Sequence, residues 1–205
     1  MVKKISVIIP SFNSQALLAK NLPKVIATCP ECEIIVVDDG STDDSVKYLK
    51  SHFKKVKIIE NKKNVGFARS TNIGVKEAKG RFILLLNTDV IPQPGFLESA
   101  LSHFNAKKHP RGEVKESPGK HPGGELFAVG LADQSHENGK IVVRGRGGAK
   151  FTKGFINHFA LKPSSGETLW ASGGSGLFDK EKFLELGGFD SVFAPFYWED
   201  IDLSY

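Results

Sequence analysis

At 205 residues, 40% hydrophobic and 25% charged, the chain is long enough for one domain with a substantial core, and its composition excludes a disordered or fibrous class. A net charge of +5 favours anionic partners without choosing among nucleotides, phospholipid surfaces and nucleic acid. Two cysteines make no disulfide framework, and no apolar run reaches the roughly 18 residues of a membrane span, so a reducing cytosol is the expected compartment. Met1-Val2-Lys3-Lys4 leads straight into a strand, with no signal peptide expected. Cys29-Pro30-Glu31-Cys32 reads as two incidental thiols before a strand rather than a redox or zinc pair.

Taken in order, Ile-Ser-Val-Ile-Ile-Pro (5–10) is a short buried strand that Pro10 closes. Ser14 can cap a helix through Leu17, Leu18, Leu22 and Val25, which Pro23 ends or bends. A second unbroken strand, 33–37, runs into Asp38-Asp39-Gly40-Ser41-Thr42, turn residues that also start a helix over 43–53. A third strand over 56–60, a turn over 61–66 and a helix over 67–78, stopped by Gly80, lead to Phe-Ile-Leu-Leu-Leu (82–86) and then Asn87-Thr88-Asp89. A run this short and without alternation is expected of a strand covered on both faces. The β-α-β-α-β-α-β alternation implies a parallel, helix-covered sheet with right-handed crossovers.

A helix over 95–104 follows. Residues 105–124, rich in lysine, proline and glycine, read as a mobile loop, either at a cleft rim or simply solvated. Residues 126–131 and 140–143 read as strands joined by a turn at 137–140. Arg144-Gly145-Arg146-Gly147-Gly148 reads as a glycine-rich loop rather than an RNA-binding run, which would carry more aromatics. Residues 151–161 are ambiguous. Residues 169–178 read as a strand whose small residues admit a close approach. Asp179 caps a helix closed by Gly187-Gly188, and the sequence stops inside a helix begun near Trp198, as expected of a fragment.

The carboxyl ends of the first, second and fourth strands carry Pro10 and Phe12, Asp38 and Asp39, and Asn87 and Asp89. Open α/β sheets bind ligands at that edge. A carboxylate there can hold a divalent cation, and the cation a diphosphate. Asp89 alone could equally cap the next helix, but three polar strand ends on one edge make a cleft.

Six motifs in order give the chain its resemblance: Ile-Ile-Pro-Ser-Phe-Asn (8–13), Val-Val-Asp-Asp-Gly-Ser-Thr-Asp-Asp-Ser (36–45), Asn-Val-Gly-Phe-Ala-Arg-Ser-Thr-Asn-Ile-Gly (64–74), Leu-Leu-Leu-Asn-Thr-Asp (84–89), Ser-Gly-Gly (172–174) with Leu-Gly-Gly-Phe-Asp (186–190), and Trp-Glu-Asp-Ile-Asp-Leu (198–203). Together they resemble the inverting family 2 glycosyltransferases over nearly all of the chain except about 105–165. The resemblance implies a GT-A fold: a Rossmann-like, mostly parallel sheet flanked by helices, with a smaller antiparallel portion on the acceptor side. It implies one catalytic domain, with residues 1–104 binding a nucleotide sugar, 105–124 a loop and 125–205 facing the acceptor. It implies sugar transfer from a UDP- or dTDP-linked donor to a glycan or lipid-linked acceptor, no nucleic-acid partner, and a role in cell-wall or polysaccharide synthesis, in the cytoplasm or peripherally at the inner membrane face.

Residue by residue, the resemblance puts Phe12 on the base with Pro10 touching it through backbone. Asp39, ahead of Asp38, meets a pyrimidine imide N–H, and Arg69 reaches toward the diphosphate. Asn87, with Thr88 beside it, sits near the ribose, and Asp89 holds Mn2+ or Mg2+. Asp200 is the general base. Gly173, Gly174, Trp198 and Glu199 lie on the acceptor side, where Gly173 and Gly174 could instead only permit tight packing and the tryptophans Trp170 and Trp198 could be cleft wall. A carboxylate answers an imide donor, a hard cation offsets charge gathering on a diphosphate, and a single displacement with inversion needs a base on the opposite face. The chain departs from the family's D-x-D at Asn87, which leaves one fewer charge for metal; this N-x-D resembles the rhamnosyltransferase-like members of the family, a resemblance that weakly favours a dTDP-sugar. None of the six histidines replaces a metal-site histidine expected beyond Tyr205, and each reads as solvated or at a loop. A nucleotidyltransferase, or a non-catalytic nucleotide-sugar-binding module, is the alternative. The first would want a basic glycine-rich loop after the first strand, and Ser11-Phe12-Asn13 supplies none.

Overall fold

The computed structural model describes residues 4–105, 126–194 and 197–204. Its centre is a six-stranded sheet made by β1 (Ile5–Ser11), β2 (Glu33–Asp38), β3 (Lys57–Glu60), β4 (Phe82–Leu86), β5 (Ala128–Gly130) and β10 (Ser175–Asp179), in the order β3-β2-β1-β4-β10-β5. The first four strands are parallel, and β10 and β5 complete the sheet antiparallel. Between β5 and β10 stand two ribbons, β6 (Asp133–Glu137) with β7 (Lys140–Arg144), and β8 (Gly147–Thr152) with β9 (Phe155–Ala160). The helices are α1 (Gln15–Thr28), α2 (Ser45–His52), α3 (Phe67–Glu77), α4 (Phe96–Asn105), α5 (Lys180–Glu185) and α6 (Glu199–Ser204), with a 3-10 turn at Ser191–Phe193.

Period two sorts the unbroken strands into two cores. Val7, Ile9, Val36, Leu84 and Leu86 face Leu18, Leu22 and Val25 of α1, with Leu49 of α2 and Ala100 of α4. Ile8, Ile35, Val37, Ile83 and Leu85 face Ala68 and Val75 of α3, with Phe178, Phe183 and Phe189. Gly74 lets α3 lie close: a Cβ there would come within 2.5 Å of Ile8 Cγ2. Both thiols are buried, and a hydrogen bond that the Cys29 S–H makes to Cys32, followed by burial, pushes the Cys29 thiol up, away from thiolate chemistry.

Several expectations are corrected. Strand β1 runs one residue past Pro10. Helix α1 continues through Pro23 to Thr28, because burying Leu22 and Val25 offsets the ~3 kcal/mol that an interior proline costs. Ser14 makes no side-chain cap; its hydroxyl donates to the Phe12 carbonyl. Residues 126–131 do not pair with 140–143. Strand β5 instead covers the edge of β10, and the Asn138-Gly139 turn, with φ of 50° and 74°, serves the local β6–β7 ribbon. Gly147 and Gly148 belong to β8 rather than to a loop, the ambiguous 151–161 is largely β9, and strand character over 169–178 begins only at Ser175. The cap at Asp179 is as expected, accepting from the Glu181 and Lys182 N–H groups. Beyond Asn105, the expected polar loop lies outside the described residues.

Candidate active site

The first two strand ends are bound to each other before any ligand arrives. Asn13, at φ 48°, accepts the Thr42 N–H at 2.8 Å and donates its own N–H to Ser41 Oγ at 2.9 Å. This leaves Phe12 46% exposed at the sheet edge, with Pro10 half-buried behind it. Asp38 and Asp39 are both buried. Asp38 accepts the Ser41 N–H on Oδ2, and its Oδ1 is buried without a partner. Asp39 accepts Asn61 Nδ2 and the Val65 N–H on Oδ1 and the Gly66 N–H on Oδ2, each at 2.9 Å. A carboxylate has about four acceptor positions, so one remains, on Oδ2. Asp39 therefore ties the entry of α3 to the end of β2 as well as facing the edge.

At the end of β4, the Asn87 N–H donates to the Gly174 carbonyl at 3.0 Å. A Cβ on Gly174 would lie 2.6 Å from Asn87 Nδ2, so only glycine lets the two segments approach this closely. The Thr88 carbonyl accepts from Asn21 Nδ2, a buried amide on α1. Asp89 is exposed. On the same edge, past β10, stands Asp133, half-buried and accepting Ser175 Oγ at 2.8 Å. Burial pushes its carboxyl above the usual aspartate range, Ser175 pulls it back, and the charge of Asp89 raises it again.

Helix α6 arrives from the other side. Asp200 Oδ2 accepts the Gly173 N–H at 3.1 Å and Oδ1 the Ile201 N–H at 2.8 Å. Glu199 is 6% exposed, with Oε2 unpartnered. Burial first, and then the charge of Asp200, raises its carboxyl above the usual 4.5. Tyr197 and Trp198 hold φ of 81° and 79°, left-handed values that cost about 1–3 kcal/mol per residue outside glycine. Asn87, Gly173, Gly174, Glu199 and Asp200 line a single cavity of about 320 Å³.

The profile of glycosyl transferase family 2 matches residues 6–110. The chain belongs to this family. It is similar to an uncharacterised glycosyltransferase of Haemophilus influenzae, 32% identical over 109 residues that make up 51% of this chain and 34% of that protein. Its fold is that of a Pyrobaculum calidifontis mannosyltransferase solved with GDP-Man and Mn2+, at a TM-score of 0.63 and 16% identity over 98% of this chain and 50% of the other. It is also that of GalNAc-T7 solved with UDP, GalNAc and Mn2+, at 0.75 and 18% over 100% of this chain and 40% of the other. The chain thus spans about a third of the length of that relative and half or less of the two solved chains.

The GT-A sheet of this family 2 chain gathers most of the expected residues, but not Arg69. Arg69 shares the stripe of Asn72, Ile73 and Lys76 on α3 and lines a different cavity, of about 650 Å³, where Nη2 donates to Ser191 Oγ at 3.5 Å. The same helical phase turns Asn72 onto the Gly187-Gly188-Phe189 loop. Asn72 donates to the Phe189 carbonyl at 2.8 Å and accepts the Phe189 N–H at 3.0 Å. Trp198 packs on His158, whose ring lies 5.0 Å from Trp198 and 5.6 Å from Trp170. That histidine is neither solvated nor in a loop, which corrects the reading of all six histidines as such.

Sequence reasoning missed Asp133, Asn21 and Asn72. Among the described residues no three His, Cys, Asp or Glu side chains converge. The charge of Asp89 reaches Asp133, and two carboxylates on one edge are oxygen donors of the kind a hard divalent cation such as Mn2+ or Mg2+ takes.

Proposed function

We propose that the chain is the catalytic domain of an inverting glycosyltransferase that moves a sugar from a nucleoside diphosphate sugar to an acceptor hydroxyl. The observation that carries this reading is the backbone bridge of Gly173-Gly174, which joins Asn87 at the β4 end to Asp200 in one cavity. Phe12 offers a flat apolar face to a base, and the free acceptor position on Asp39 Oδ2 suits the imide N–H of uracil or thymine. Asn87 and Thr88 flank the ribose, and Asp89 with Asp133 would hold Mn2+ or Mg2+. Bound there, the ion would offset charge on the departing diphosphate.

Asp200 takes the proton of the acceptor hydroxyl. The freed oxygen forms a bond to the anomeric carbon from the face opposite the diphosphate, and the bond to the diphosphate breaks with its electron pair leaving on the phosphate oxygen. A base of this kind contributes about 10²–10⁴-fold. Asp200 keeps one carboxylate oxygen oriented by the Gly173 N–H, while Glu199 behind it lacks any partner for Oε2. We assign the base to Asp200 and a cavity-wall role to Glu199. Gly173, Gly174 and Trp198 shape the acceptor side, and the acceptor is a glycan or a lipid-linked glycan.

The solved neighbours carry GDP-Man in one case and UDP in another, so they do not choose the nucleotide. Calorimetric ranking of UDP-, dTDP- and GDP-sugars in Mn2+ tests the base contact. Uracil or thymine donors should bind tightest and lose affinity in Phe12→Ala. Equal binding of all three, or a preference for guanine, sinks the assignment of a uracil or thymine base.

A further inference from the structure

The outer half of the β8–β9 ribbon concentrates exposed apolar side chains. Phe151, Phe155 and Ile156 are 73%, 72% and 50% exposed. The register pairs Phe151 with Ile156 and Thr152 with Phe155. Strand alternation therefore puts Phe151 and Ile156 on one face and Phe155 on the other. A patch built for another folded surface lies on one face. A tip that is apolar on both faces suits a medium that surrounds it.

The charge around the tip has one sign. Lys150 and Lys153 flank it, and residues 147–162 contain no Asp or Glu. The inner end of the ribbon, by contrast, is fixed to the domain. A Cβ on Gly147 would lie 1.9 Å from the Trp170 ring, the Leu169 N–H donates to the Gly147 carbonyl at 2.9 Å, and Arg146 donates to the Glu167 carbonyl. His158 on β9 packs against Trp198, next to Glu199 and Asp200. The ribbon is thus anchored beside the acceptor side of the cavity and carries its apolar tip outward. The neighbouring β6–β7 ribbon supplies a contrast. It also exposes Ile141 and Val143, but it carries Asp133 and Glu137, pairs Glu137 with Arg144 at 2.6 Å and ends in a polar Asn138-Gly139 turn.

We propose that the β8–β9 tip docks on an anionic lipid bilayer, with Phe151, Phe155 and Ile156 entering the headgroup boundary and Lys150 and Lys153 meeting the lipid phosphates. Docked this way, the domain holds the acceptor side of its cavity close to the membrane, which suits an acceptor carried on a lipid. Only that last consequence rests on the transferase reading. Docking itself is read without donor or acceptor, so its failure leaves the role of Asp200 untouched.

The test is cosedimentation of the full chain with vesicles of phosphatidylcholine alone and of phosphatidylcholine with phosphatidylglycerol in equal parts. The chain should bind the anionic vesicles. Phe151→Ser/Phe155→Ser should weaken that binding roughly tenfold per aromatic. Lys150→Glu/Lys153→Glu should weaken it about fivefold per lysine, and the loss should shrink on neutral vesicles and at high salt. Ile141→Ser/Val143→Ser should bind as the unaltered chain does. All four sites of the tip variants are exposed, so unchanged circular dichroism is expected and shows that loss of binding is not loss of fold. The proposal is overturned if the unaltered chain binds neither vesicle, if the phenylalanine variant binds as well as the parent, or if the β6–β7 variant loses as much. It is also overturned if the chain self-associates without lipid and the phenylalanine variant abolishes that, which would make a second copy the occupant.

Discussion

The strands of residues 5–86 and the segments of residues 126–204 meet at one sheet edge but are held there by different forces. In the first region β1, β2 and β4 are buried on both faces, and two apolar cores, one on each side, fix where Phe12, Asp39 and Asn87 emerge. In the second, β10 with Phe178, Phe183 and Phe189 shares those cores, and single polar contacts fix the segments that reach the site: Gly173 to Asp200, Ser175 to Asp133, Asn72 to Phe189. Burial is non-directional and tolerates small shifts. A hydrogen bond between segments a hundred or so residues apart aims one group at one place. The edge of β1, β2 and β4 is thus a rigid platform, and the wall that carries Gly173 and Asp200 is also pinned to it at points.

Cutting into the platform should give the largest stability loss. Leu84→Ala removes a side chain buried between the sheet and α1, and chemical denaturation should show a loss of about 2–5 kcal/mol. A loss under about 1 kcal/mol would mean the sheet is less tightly packed than described here. Breaking a pin should cost less overall but show at the site. Asn72→Ala strands the Phe189 N–H and carbonyl, a loss of about 1–3 kcal/mol. Hydrogen exchange should rise at 187–190 while the amides of β1 and β4 stay protected. Uniform loosening across both regions would contradict the contrast.

The smallest effect is electrostatic. Burial holds Glu199 above 4.5, so the folded chain keeps a proton that the unfolded chain has released. Its contribution is complete below the ordinary glutamate range and is lost as pH rises through the higher folded value. Glu199→Gln removes that slope and should raise the thermal midpoint relative to the parent at neutral pH, with the two curves converging toward acid. Parallel curves would show that Glu199 is not held up by burial.

The platform was legible because each strand is an unbroken apolar run bounded by turn residues, so β4 and the end of α5 stand where the pattern puts them. The pins were not, because their partners are distant in sequence. Asn21 meets Thr88 across 67 residues, Ser175 meets Asp133 across 42, and Asn72 meets Phe189 across 117. No local period carries such pairings. Arg69 lines a separate cavity because the phase of α3, which no motif carries, fixes the side it faces. The 151–161 stretch resisted assignment because apolar residues on both faces of the ribbon erase the alternation that marks a half-buried strand.

The central claim is that one cavity joins a nucleotide-sugar edge to a base on α6. Asp200→Asn tests it most directly, with donor affinity measured by calorimetry in Mn2+ and turnover measured as nucleoside diphosphate released on transfer. Donor binding within about twofold of the parent and turnover lower by about 10²–10⁴-fold are expected. Turnover that survives the substitution, or a parent chain that binds no nucleotide sugar, would contradict it.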